Sequence, residues 1–452
     1  MRRDEEGLES WLDRQYRYAA AAMLESVSPV RVVKTRPGFG QIVRPRKGSV
    51  VASPVLADWN PEPDYFFHWY RDSALVMDAL RLLANAGSVG CEMRAHFRDF
   101  VHFSLSLQKL DGRTLAGPRR ENCAKEFVRF LRSETELAMV HGDAVLAETR
   151  VNADGTLDIT KWTRPQHDGA PLRALAVLRW IRDGQIDADL SIDLSELVCA
   201  DLKFTSGHWR EPSFDIWEEE QGLHYYTLCV SAAALKAGAD WLERGDPDVA
   251  QSYREQGQAI HRTLDTFWLP EAGYFRSRIL SSGSRSPKEL DISVVLAAIH
   301  TAGEGIPHTV RDPRMQATLA RLELLFDAAY PINQKRSERA APAMGRYSGD
   351  VYFSGGAYYF STLGAAEFCF RAAVQSADAA GWIKRGNAFL ETVRAYTPPG
   401  GDMSEQFDQR TGEQTSARHL AWSYAAFISC VAARRLAVPG TQFALPAGGA
   451  QP

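Results

Sequence analysis

The chain has 452 residues, 45% of them hydrophobic and 24% charged, the balance of a globular protein and not of a disordered or membrane-embedded one. Its formal net charge is only -4, with acids and bases interspersed, so it has no electrostatic footprint for nucleic acid. No uninterrupted apolar run approaches the length that spans a bilayer, which leaves a neutral or small partner as the expectation.

The first segment, MRRDEEGLESWLDR, is acidic where an export signal needs an apolar run, and this predicts a cytoplasmic protein. Leu8, Trp11, Leu12, Tyr16 and Met23 then share one helical face. Residues 30–33, 41–43 and 49–52 have short β signals and predict small ribbons. Helical spacing returns at Leu75, Ala79, Leu82 and Leu83, again from Leu228 to Leu242, and again at Leu420, Tyr424, Phe427 and Val431. About a dozen such segments have ordinary helix lengths. The stretch 120–145 is charged and helix-prone and reads as a surface insertion, while 438–452 is a tail too short to be a domain.

Between the helices lie long connectors at 53–71, 152–171, 205–223, 267–290, 333–357 and 397–416, rich in Pro, Gly and aromatic residues. Connectors of that length tend to be functional. Six of them between helix pairs predict an all-α fold of helical hairpins closed into a ring, with the loops gathered around a pocket and only minor short β ribbons. A single domain is expected over 1–437. Six scattered cysteines without zinc-site spacing read as reduced, mostly buried thiols, and neither a metal nor an organic cofactor is expected. Of eleven Trp, fifteen Tyr and twenty-one Phe most are expected in the core, but many lie in loop-like stretches, where such rings suit flat, weakly polar ligands such as sugars.

Cleaving a glycosidic bond takes one carboxylic acid to protonate the departing oxygen and one carboxylate to activate water or attack directly. Glu218 lies in SFDIWEEEQG beside Trp217, and Glu405 in GGDMSEQFDQRTGEQTSARHLAWSYAA. Read singly, the first is an ordinary charge run and the second an exposed loop acid. An acid pressed against an indole among other carboxylates would have its ionisation disfavoured, as a general acid requires. Three more segments are rich in sugar-binding residue types: NPEPDYFFHWYRDSALVMDAL, KWTRPQHDGAPLRAL and GRYSGDVYFSGGAYYFSTLGAAE.

Together, in order and spacing, the five segments resemble the active-site loops of glycoside hydrolase family 15, the glucoamylases, over about residues 8–437. The resemblance implies an (α/α)6 barrel, a six-hairpin toroid, and an inverting hydrolase that releases β-glucose from non-reducing ends of α-1,4-glucans or malto-oligosaccharides. It implies Glu218 as general acid and Glu405 as general base. Arg71 and Asp72 correspond to the pair that binds terminal glucose hydroxyls, Tyr65 and Trp69 to aromatic walls of that site, and Trp162 to a ring near the acid, with Trp217 expected among the substrate-binding residues. Glu219, Arg346 and Tyr352 correspond to further sugar-contacting positions. Alternatives within the fold are hydrolysis of another linkage, as in isomalto-oligosaccharides, dextran ends or trehalose, or phosphorolysis. The chain departs from the family at Ser354-Gly355-Gly356-Ala357-Tyr358, where fungal relatives carry N-G-N-P-W, and at His419, where an aspartate is common. Loss of that tryptophan face predicts weaker binding of long chains.

Overall fold

The computed structural model describes residues 6–58, 61–87, 90–115, 122–184, 186–374 and 376–438. The tail beyond Val438 and the first two residues of the 120–145 stretch lie outside the described residues. The helices in chain order are α1 (Leu8–Leu24), α2 (Tyr70–Asn85), α3 (Gly90–Leu107), α4 (Glu134–Ala138), α5 (Gly169–Arg182), α6 (Ser191–His208), α7 (Tyr225–Leu242), α8 (Pro247–Asp265), α9 (Ser293–His300), α10 (Pro313–Ala329), α11 (Tyr359–Ala373), α12 (Ala379–Tyr396) and α13 (Ala421–Ala437).

Helices α2, α5, α7, α9, α11 and α13 pack each against the next, and α13 returns to α2, closing an inner ring. Around it, α3, α6, α8, α10 and α12 cover α2, α5, α7, α9 and α11, and α1 covers α13. This is the expected (α/α)6 toroid. Composition explains the division. The inner α11 buries almost every residue from Tyr359 to Ala373, as a helix enclosed on all sides must. The outer α8 buries only Ala250, Tyr253, Gly257, Ile260 and Leu264, one stripe of alternating three- and four-residue steps. Gly238 on α7 permits close approach, since a Cβ there would meet Leu202 of α6 at 2.3 Å.

Small ribbons decorate the ring: β1 (Lys34–Arg36) pairs β2 (Gln41–Val43), β3 (His68–Trp69) pairs β4 (Arg150–Val151), and β5 (Ser213–Phe214) pairs β6 (Gln221–His224). Further along, β7 (Trp268–Leu269) pairs β8 (Tyr274–Phe275), β9 (Arg278–Leu280) joins β6, and β10 (Gln406–Phe407) pairs β11 (Gln414–Thr415).

Three local expectations are corrected. The first ribbon begins at Lys34, not in 30–33, because Lys34 and Arg36 turn inward to Asp64 at 3.5 and 2.6 Å while Val30 and Val33 stay exposed. The 49–52 stretch makes only a single bridge, Val27 to Val50. Within 122–145 the five-residue α4, closed by a Ser133–Glu136 capping box, is the one α-helix among the described residues, and short 3-10 segments, turns and bends make up most of the rest. Backbone pairing of 130–132 with 159–161 competes with helix there, and Cys123, Leu131, Leu137 and Val140 are buried, so the stretch is anchored and not merely superficial.

Because each inner helix follows an outer one through a hairpin, all six inner helices run the same way. Their N-termini, at Tyr70, Gly169, Tyr225, Ser293, Tyr359 and Ala421, meet at one end of the ring with the loops that precede them. Partial positive charge of helix N-termini accumulates at that end, where the acids lie.

Candidate active site

A pocket at this end is lined by Tyr65, Trp69, Arg71, Asp72, Trp217, Glu218, Arg346 and Glu405, together with Ala52, Ile216, Phe360, Leu420 and Trp422. Eight of the eleven site residues expected from sequence therefore share one cavity. The other three, Trp162, Glu219 and Tyr352, touch its lining directly.

Glu218 sits in a turn built by Asp215. One Asp215 carboxylate oxygen accepts the backbone N–H groups of Glu219 and Glu220, both at 2.8 Å, and the Asp215 carbonyl accepts that of Glu218 at 2.9 Å. Arg278 anchors Asp215 from below at 3.3 Å. The turn holds Glu218 at φ 66°, a left-handed conformation that costs a non-glycine residue about 1 kcal/mol and recurs at functional positions. Its carboxylate accepts from Trp69 Nε1 at 2.8 Å, from Arg71 Nη2 at 3.1 Å and from Trp162 Nε1. This corrects one expectation: the neighbouring Trp217 is not the indole pressed on Glu218. Trp217 donates instead to Asp291 at 2.8 Å and lies parallel to Phe360 and Trp422, whose own rings stack at 4.3 Å.

Beneath Trp162 and Trp69 lies Arg150, almost fully buried. Its guanidinium is 3.7 Å from the Trp162 ring centroid, 4.7 Å from Trp69 and 4.0 Å from Phe67. Asp158 neutralises it at 2.9 Å and also takes Arg164 at 3.0 Å. Three rings and one carboxylate compensate only part of its burial: desolvation holds its pKa below the ordinary arginine value, and Nη1 is buried without a hydrogen-bond partner.

Arg71 and Asp72 project from the first turn of α2. Arg71 bonds Asp168 and Glu218, both at 3.1 Å, and lies 3.8 Å from Asp72. Its Nε is buried without a hydrogen-bond acceptor, a donor that a ligand hydroxyl would satisfy. Burial pushes the Asp72 pKa up to about 6 against the pull of Arg71.

Glu405 stands at the start of the β10–β11 hairpin, its N–H bonded to the Ala417 carbonyl at 2.7 Å. Ser416, held at φ 65°, donates its hydroxyl to Glu405 Oε2. Burial raises the Glu405 pKa to about 7, while Ser416 and Arg346 pull it down and the carboxylates Asp72 and Asp350 push it further up. Arg346 is clamped by two 2.6 Å bonds to Asp350 and reaches Glu219 at 3.1 Å. Glu219 in turn takes Lys288 at 2.6 Å and the Tyr347 hydroxyl at 2.5 Å. The Tyr65 and Tyr352 hydroxyls share a 2.6 Å bond.

The altered loop does not strip the rim of rings. Tyr358 is fully buried and bonds Asp350 at 2.9 Å, whereas Phe353, next to Tyr352, is 41% exposed. His419 bonds Tyr424 at 2.8 Å and is not among the pocket residues. Sequence reasoning missed Trp422, Phe360 and the role of Ser416. Trp422 and Phe360 are second residues of inner helices and read there as core; their position one step inside a helix start was the available signal.

A toroid whose six inner helix ends surround two loop carboxyls, arginine–aspartate pairs and stacked rings belongs to the carbohydrate-cleaving (α/α)6 enzymes. The family model Glycosyl hydrolases family 15 matches residues 38–384 and 383–432, and the chain belongs to that glycoside hydrolase family. The Schizosaccharomyces pombe protein named Probable glucoamylase is 28% identical, with 97% of this chain and 94% of that one aligned. Among solved structures, the family 15 glucoamylase of Hypocrea jecorina superposes with TM-score 0.76 at 23% identity, over 97% of this chain and 74% of that one. The Hormoconis resinae glucoamylase gives TM-score 0.76 at 25% identity, over 96% and 75%.

Proposed function

We propose that the protein is an exo-acting glucan 1,4-α-glucosidase that releases β-glucose from the non-reducing ends of malto-oligosaccharides and α-1,4-glucans. The observation that bears most weight is that Glu218 and Glu405 line one pocket in contrasting surroundings. Three N–H donors hold Glu218 in place, and the pKa of the buried Glu405 lies at about 7, near neutrality. The stacked Trp217, Trp422 and Phe360 rings give the pocket wall an apolar face.

In this mechanism the terminal glucose lies against Trp69 and Tyr65, with Arg71 and Asp72 bonding its outer hydroxyls. Glu218 gives its proton to the glycosidic oxygen as the bond to C1 breaks. Glu405 takes a proton from a water that attacks C1 on the opposite face, so that configuration inverts. Asp72 and Glu405 place negative charge near the oxocarbenium-like centre as it develops. An intact Glu405 favours water over phosphate as the acceptor.

The two carboxyl roles separate with α-glucosyl fluoride, whose leaving group needs no proton. Glu218→Gln is expected to lose about two orders of magnitude or more on maltose while keeping most activity on the fluoride. Glu405→Gln should lose both. The reverse pattern would exchange the roles, a reading that the raised Glu405 pKa keeps worth testing. A panel of maltose, isomaltose and trehalose, with and without phosphate, reads linkage and separates glucose from glucose 1-phosphate as product.

A further inference from the structure

The 122–132 stretch has no part in the pocket, yet it displays large apolar side chains to solvent. Phe127 and Phe130 are 39% and 45% exposed, although their backbone is firmly tied. Leu131 bridges Thr160, and the Phe130 carbonyl accepts the N–H of Lys161 at 2.7 Å. The residue after Lys161 is Trp162, whose indole donates to Glu218. Phe130 is thus tied across the ribbon to the residue that precedes Trp162.

From Phe130 the rings continue outward. Phe127 meets Phe130 edge-on at 6.2 Å, and Phe39 meets Phe127 edge-on at 5.2 Å. Room for the Phe127 ring comes from Gly38, where a Cβ would fall within 2.6 Å of it. Beyond Phe39 opens a cavity of about 260 Å³ bordered by Gln41, Asn122, Asp154 and Thr156. Cys123, Leu131 and Ile159 form a buried base under this surface. Phe39 packs partly on that base, while Phe127 and Phe130 stay exposed with the Arg129 guanidinium over the Phe130 ring at 4.7 Å. These rings, beside amide, hydroxyl and carboxylate groups, match the apolar face and hydroxyl rim of a pyranose.

We propose that Phe130, Phe127 and Phe39, with the groove beyond them, form an outer binding site for the part of an α-glucan chain that lies outside the pocket. The choice of glucan over a protein partner rests on continuity with the pocket through Trp162 and therefore on the reading above. The site favours longer chains.

Phe127→Ala, Phe130→Ala and the double variant test this, with thermal melting to show that each folds. The double variant should keep kcat/KM on maltose within about twofold and lose about fivefold or more on maltoheptaose, the scale of stacking on one or two rings. Equal losses on both substrates, or none on either, would overturn the proposal. β-Cyclodextrin has no chain end to enter the pocket, so its calorimetric binding reads the outer site alone. The wild type should bind it and the double variant should not, even if maltose proves not to be a substrate. Absence of binding to the wild type, or binding unchanged in the variant, counts against the site. A concentration-dependent dimer abolished by the double substitution, with an unchanged chain-length profile, would assign the surface to a second copy instead.

Discussion

The Arg150 guanidinium lies 3.7 Å from the ring centroid of Trp162, and the N–H of that ring donates to Glu218. Arg150 does not itself line the pocket, yet it underlies both indoles that hold Glu218. Arg150→Leu should therefore lower kcat by about tenfold or more while changing KM little, with a red shift in tryptophan emission as Trp69 and Trp162 loosen. Stability should fall by less than the cost of an orphaned buried charge, about 3–5 kcal/mol, because Arg164 still pairs Asp158. Arg150→Lys keeps the cation and should restore part of kcat and the emission. A variant with unshifted emission and wild-type kcat would show that the stacked cation has no positioning role.

Burial raises the Glu405 pKa from 4.5 to about 7, so ionising it costs the fold free energy. Below pH 4.5 the group is neutral in folded and unfolded chains alike. As pH rises from 4.5 to about 7 the unfolded chain ionises first, and stability is lost progressively. Glu405→Gln escapes this penalty. Its melting temperature should match the wild type near pH 4 and exceed it above pH 7, by an amount corresponding to roughly 3 kcal/mol. A difference independent of pH would mean that Glu405 is not desolvated as described.

Glu405 must be ionised to act as a base, so kcat/KM should fall as pH drops through its pKa. The Ser416 hydroxyl favours the ionised form. Ser416→Ala should move that acid limb to higher pH while leaving the opposite limb in place. A pH profile superimposable on the wild type would exclude Ser416 from the tuning of Glu405.

Loops gave away the site in sequence because their residues are matched to chemistry and not to packing. Arg71, Asp72, Glu218, Arg346 and Glu405 have no reason to cluster except to meet a ligand, and they do share one pocket. Helix periodicity predicted α1, α7 and α13 for a different reason: burial of one face or of all faces leaves a regular imprint. What stayed hidden depends on third dimensions of packing. Trp422 is apolar inside an apolar helix start, and nothing local distinguishes a ring facing the pocket from one facing the core. Trp217 was misjudged because adjacency to Glu218 in sequence says little in a left-handed turn, which sends the two side chains to different partners. Likewise, the 120–145 stretch is helix-prone in composition, but its backbone pairs with 159–161.

The central claim, displacement by a water that Glu405 activates on the face opposite Glu218, fixes the anomer of the first-formed sugar. Proton NMR of maltose hydrolysis, recorded before mutarotation equilibrates the product, reads that anomer directly. The account predicts that the non-reducing glucose appears first as the β-anomer; an initial α-glucose signal would mean retention and would contradict it.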